Sequence, residues 1–119
     1  MISQLPTINA SVTFLSAAEG GRSLSAHNSN LYRPHLVVGD VNQRVPITSD
    51  DGRTLLENHL GVCFTGNGEA FIPGQSCDVT LQLAYHPEVN YDQLMPGSTF
   101  TIREGGKIVG FGSVKSRAC

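Results

Sequence analysis

The sequence predicts an all-β protein, a single small closed antiparallel β-barrel, and three observations carry that reading. Apolar residues alternate with polar ones at period two, as in Val79, Leu81, Leu83 and Tyr85 against Asp78, Thr80, Gln82 and Ala84. Strand-length runs are cut by glycine and proline about every ten residues, the punctuation of a small sandwich or barrel. The stretch Phe100 to Val114, FTIREGGKIVGFGSV, specifies a hairpin by itself. At 119 residues the chain has the size of one domain, so a single core spanning 1–119 is expected.

The elements follow in order. Residues 1–7 read as a flexible start, and Ala10, Val12 and Phe14 mark a first strand ended by Ala17-Ala18-Glu19-Gly20-Gly21-Arg22. Gly21 to Asn30, rich in Ser, Asn and Gly, reads as loop. Leu31 to Val38 resumes a strand, with Pro34 favouring an edge or irregular start because proline cannot donate to a ladder. Gly39 to Gly61 is the least regular stretch; Thr54-Leu55-Leu56-Glu57 has capping-box spacing and predicts a short helical turn near 54–60. Gly61 to Thr65 is a short strand, Gly66-Asn67-Gly68 a turn, and Ala70 to Ile72 a brief pairing segment. Cys77 to His86 is the clearest strand, stopped by Pro87, and Tyr91 to Gly97 is a connection. In the final hairpin Phe100 and Ile102 alternate on the way up, and Val109, Phe111 and Ser113 on the way down. Its tip, Glu104-Gly105-Gly106-Lys107, carries the glycines that a tight turn demands, and residues 115–119 read as a tail. Glu-Gly-Gly-basic therefore occurs twice, at Glu19 to Arg22 and at Glu104 to Lys107.

Composition excludes several classes. A net charge of −2 with 15% charged residues argues against a protein whose main task is sequence-independent attraction to phosphates. A local basic patch remains open, because Arg103, Lys107, Lys115 and Arg117 are offset nearby only by Glu104. No apolar run approaches the roughly 20 residues of a membrane span, and the first residues lack a basic n-region, so a soluble, cytoplasmic protein without membrane contact is expected. Cys63, Cys77 and Cys119 make a poor disulfide framework, and Cys63 reads as a small buried hydrophobe. His59, Cys63, Cys77 and His86 lack the close paired spacing of a zinc site, so no metal is expected. Cys63 or Ser98 as a nucleophile, with His27, His35 or His59 as base, has no nucleophile elbow around it. Gly110-Phe111-Gly112 falls on a strand and is no dinucleotide fingerprint, so no catalytic residue and no cofactor is assigned.

SVTFLSAAEGGRS, LYRPH, IPGQSCDVTLQLAYHP and FTIREGGKIVGFGSV occur in the order of similar motifs in another family. From Ile8 to Val114 the chain resembles the C-terminal β-barrel domain of bacterial translation elongation factor Tu. The resemblance implies a closed antiparallel barrel with binding roles: in that family the domain contacts the T stem of aminoacyl-tRNA, its own nucleotide-binding domain and the exchange factor. GTP hydrolysis there belongs to a separate domain with a P-loop, and no Gly-x-x-x-x-Gly-Lys-Ser/Thr occurs here. Arg33 matches the arginine of Tyr-Arg-Pro, and Glu104 the glutamate of the hairpin tip on the tRNA-contacting side. His35 stands where the bacterial factors usually carry glutamine. Asp40 to Leu60 looks like an insertion beside the same motif, placed to block an old interface or build a new one. A free-standing relative of the barrel is expected.

The residues expected to bind a partner are Arg33, His35, Arg103, Glu104 and Lys107. Against that stand plainer roles, with Arg33 tying down a loop through backbone carbonyls and Arg103 and Glu104 solvated at a turn. Three functional readings follow. The first is a non-enzymatic module that binds a protein partner or a second copy of itself. The second binds tRNA or another structured RNA through the Arg33, Glu104 and Lys107 face. The third is an enzyme on a borrowed barrel.

Overall fold

Ile8, Ala10, Val12 and Phe14 fall on one side of β1 (Thr7–Phe14), and all four are buried. The same alternation buries Val79, Leu81 and Leu83 in β6 (Cys77–Leu83) and Phe100 and Ile102 in β7 (Thr99–Glu104). A sheet with one continuous apolar face hides it by curling closed. In the computed structural model, which describes residues 5–51 and 56–118, these strands form a closed antiparallel barrel with β3 (His35–Val38), β4 (Leu60–Phe64) and β8 (Lys107–Ala118). The order around the wall is β1-β6-β4-β3-β7-β8, and β8 returns to pair with β1. Outside the wall, β2 (His27–Asn28) pairs with β5 (Glu69–Ala70) as a two-stranded ribbon. The all-β expectation holds, and a 3-10 turn at Ala17–Glu19 is the helical element among the described residues. No described helix is long and apolar enough to cross a membrane.

Several boundaries differ from the sequence reading, each for a local reason. Thr7 pairs with Ala118 across β1 and β8, so Thr7 belongs to the sheet and Lys115–Ala118 are strand rather than tail. His27–Asn28 lie in the stretch read as loop, and strand structure there comes from pairing with β5. Strand β3 begins only at His35, while the Pro34 carbonyl accepts from Val62 N–H at 3.0 Å. Strand β6 stops at Leu83, and Tyr85 leaves it to lie across Gly61. The Thr54 end of the predicted helical turn lies outside the described residues, and Leu56 to His59 are not helical. The capping-box contact occurs instead at Ser16, whose N–H and hydroxyl both donate to Glu19 at 3.0 Å.

The final hairpin forms with Glu104 opposite Lys107 and Gly105 at φ +60°, the positive φ that the sequence assigned to its tip. One feature was not foreseen. Ile102 pairs with Gly110 but Arg103 with Ile108, so Val109 is an extra residue in a bulge. The bulge reverses the alternation beyond it: Val109 points inward and is fully buried, whereas Phe111 turns to the outer surface. Gly110 and Gly112 now face the interior. A Cβ on Gly112 would stand 2.9 Å from the Phe100 ring and 2.2 Å from the Ser11 carbonyl oxygen, so the glycine makes room for the phenyl group.

Strand β7 is buried on both sides. Phe100 and Ile102 fill the interior, yet Thr101 and Arg103, on the outer face, are only 1% and 0% exposed. The segment between β3 and β4 folds back over them. Glu57 from that segment takes Arg103 as a fork, Nη1 to Oε1 at 2.7 Å and Nη2 to Oε2 at 2.9 Å, and Arg103 Nε donates to Thr101 Oγ1 at 2.8 Å. Glu57 also accepts from Gln43 Nε2 at 2.8 Å and from Ile47 N–H at 2.9 Å. These hydrogen bonds, Arg103's first, hold its carboxyl pKa down to about 2. Removing one partner strands the other charge away from water, which costs about 3–5 kcal/mol, whereas replacing both with apolar groups is often neutral. Glu57→Leu should therefore lower the urea midpoint sharply and Glu57→Leu with Arg103→Met should recover most of it; equal loss in both would show that the pair itself carries the stability.

Candidate functional site

Antiparallel pairing of β1 with β8 decides what lies at one end of the barrel. Phe14 sits opposite Gly110, and Leu15 N–H donates to the Val109 carbonyl at 2.9 Å, so the chain leaving β1 runs beside the chain rising from the hairpin tip. The turn after β1 thus meets the turn before β8, and these are the two Glu-Gly-Gly-basic turns. Arg22 of the first bridges Glu104 of the second, Nε to Oε2 at 2.9 Å. Tyr32 completes the contact, its hydroxyl donating to Glu104 Oε2 at 2.7 Å while Arg22 lies 5.5 Å from its ring centroid. Burial, then the hydrogen bond to Glu104, raises the Tyr32 phenol pKa well above its ordinary value, so the hydroxyl stays a donor.

The base of this cluster is aromatic. Tyr32 packs on Phe64 at 5.1 Å and Phe14 at 6.0 Å between centroids, and Phe71 lies 4.7 Å from Phe14. Beside it Arg22, Leu24, His27, Leu31 and Tyr32 line an open groove of about 750 Å³. Leu24 is 77% exposed and Leu31 89%. His27 of β2 forms part of the wall, exposed between the buried Ala26 and Asn28.

The residues singled out from sequence separate into two groups. Glu104 joins the groove cluster, Lys107 is exposed directly across the hairpin from it, and Arg33 is exposed next to Tyr32. Arg33 Nε donates to the Asn30 carbonyl at 3.2 Å, the tie-down contact anticipated for it. Arg103 requires correction. Read as a docking residue, it is fully buried under the segment carrying Glu57, because its place on the outer face of β7 is covered. His35 lies opposite Arg103 in the β3–β7 ladder and belongs to that second cluster, away from the groove. Its ring is 6.0 Å from His59 and stacks on Tyr85 at 6.5 Å.

Sequence reasoning missed Arg22, Leu24, Leu31 and Tyr32 as site residues. The repeat of Glu-Gly-Gly-basic was the available signal, since like turns at the ends of paired strands are brought together by the pairing. The chain matches no protein-family model.

His59 makes the second cluster sensitive to acid. Its Nε2 is buried with no hydrogen-bond partner among the described residues, and burial, then the charges of Arg103 and His35, lower its pKa against the opposing pull of Glu57. A histidine that resists protonation when folded stabilises fully above its ordinary pKa of about 6.5 and loses that contribution as pH falls below it, because the unfolded chain takes the proton first. Glu57 adds a second loss below about pH 4.5, where the unfolded carboxyl protonates and the folded one does not. Thermal unfolding followed from pH 7 to 5 should show the midpoint falling in the parent and a shallower fall in His59→Gln; parallel profiles would remove His59 as the cause.

Proposed function

We propose that this chain is a non-enzymatic binding module that docks a protein partner in the groove of Arg22, Leu24, Leu31 and Tyr32. The observation that carries the reading is the placement of two large, mostly exposed leucines in one groove beside an arginine and a tyrosine. Single exposed apolar residues are ordinary, but apolar side chains grouped around Tyr and Arg have the composition of a protein-binding hot spot.

The charges favour protein over RNA. Arg103 is spent on Glu57 and Arg22 is engaged by Glu104, which leaves Arg33 and Lys107 as the cations at this end without an acidic partner among the described residues. Binding along a phosphate backbone gains from many such groups releasing counterions together. Two exposed cations beside an apolar groove suit steering and orienting a protein surface better. The resemblance to the elongation factor barrel, whose roles are all binding roles, agrees with a docking module and keeps RNA as the competing occupant.

Capture from native cell extract tests this. The parent should retain a protein that survives ribonuclease, Leu31→Asp should lose it, and Met95→Asp, at a residue 54% exposed outside the groove, should keep it. Loss of all captured material on ribonuclease treatment would favour RNA, and capture indifferent to Leu31→Asp would refute the groove.

A further inference from the structure

We infer that the groove takes a peptide that carries both leucine-sized side chains and carboxylates. This rests on the docking reading and adds the chemistry of the occupant. The apolar requirement comes from Leu24 and Leu31, whose exposed side chains gain by covering one another's surface with a partner side chain.

The acidic requirement comes from a local surplus of unspent donors. Arg22 meets Glu104 through Nε, and among the described residues its two Nη groups make no hydrogen bond. Arg33 likewise spends Nε on the Asn30 carbonyl, and among the described residues its Nη pair and Lys107 have no partner. The nearby carboxylates are already in use. Glu104 accepts from Tyr32 and Arg22, and Glu69 accepts from Asn28 Nδ2 at 2.9 Å and Asn67 N–H at 3.2 Å. A chain with net charge −2 therefore presents, at this rim, free guanidinium forks suited to bidentate carboxylates.

Amide NMR titration with three synthetic peptides tests the inference: acetyl-Glu-Leu-Glu-Leu-Glu-amide, its lysine counterpart acetyl-Lys-Leu-Lys-Leu-Lys-amide, and the apolar-deleted acetyl-Glu-Ser-Glu-Ser-Glu-amide. The first should move amides of residues 22–32 and 104–107 and bind about tenfold or more tightly than either control at low salt. Arg33→Glu with Lys107→Glu should abolish the preference for acid over lysine while the fold is retained. Equal binding of the lysine peptide would overturn the acidic requirement, equal binding of the serine peptide the apolar one, and shifts confined to other residues the location. If no peptide moves the groove amides while Leu31→Asp still loses the captured protein, this inference falls and the docking reading stands. If capture is also indifferent to Leu31→Asp, both fall.

Discussion

The ladder between β1 and β8 is the constraint on which the rest of the molecule depends. It closes the barrel, and closure removes the free edges that an open sheet of these strands would expose. Because the ladder is antiparallel, it also fixes which loops become neighbours. The chain that leaves β1 after Phe14 continues alongside Val109 and the hairpin tip, so Arg22 and Glu104, far apart in sequence, come within 2.9 Å. The ion pair alone is partly exposed and worth roughly 0–1 kcal/mol, too little to position two loops. Strand pairing does the positioning, and the ion pair selects the side-chain arrangement at the rim.

Arginines of this chain meet opposite fates for reasons of environment. Arg103 lies on the outer wall, yet the segment between β3 and β4 covers it, and a guanidinium without water must have its hydrogen bonds supplied by protein. Glu57 and Thr101 supply them. Arg22 and Arg33 stay in contact with solvent, and among the described residues each meets protein through one nitrogen. Residue type alone does not distinguish an internal fastener from a solvated surface group; what covers the residue does.

This explains how far the sequence was legible. Period-two alternation in β1 and β6 exposed the barrel, because a strand with one face inside records its orientation in every second residue. The hairpin tip was legible because paired glycines have few other uses, but the bulge at Val109 was not: glycines at 110 and 112 carry no polarity to reveal that they face inward. The burial of Arg103 was hidden for a related reason. Its strand alternates like the others, and the cover comes from residues some forty positions earlier, with Glu57 46 residues away from it. His27–Asn28 forms strand only by pairing with Glu69–Ala70, so composition near it gave the loop reading. Of the candidate site, Glu104, Lys107 and Arg33 were legible through the hairpin and the Tyr-Arg-Pro motif, while the leucines were not, since an exposed leucine looks like a core leucine until its surroundings are known.

The aromatic base orders the groove end of the barrel. Phe14, Tyr32, Phe64 and Phe71 lock together beneath the rim, and the Tyr32 hydroxyl ties that packing to Glu104 and through it to Arg22. A partner would meet side chains already ordered by the core, and the ordering entropy that flexible binding loops spend on association would be largely spent at folding. The cover over Arg103 stabilises the opposite arrangement, in which a charged group is closed within the protein by a carboxylate from its own chain. The groove cluster has contacts of its own: Arg22, Tyr32 and Glu104 are joined to one another and to the aromatic base without Glu57.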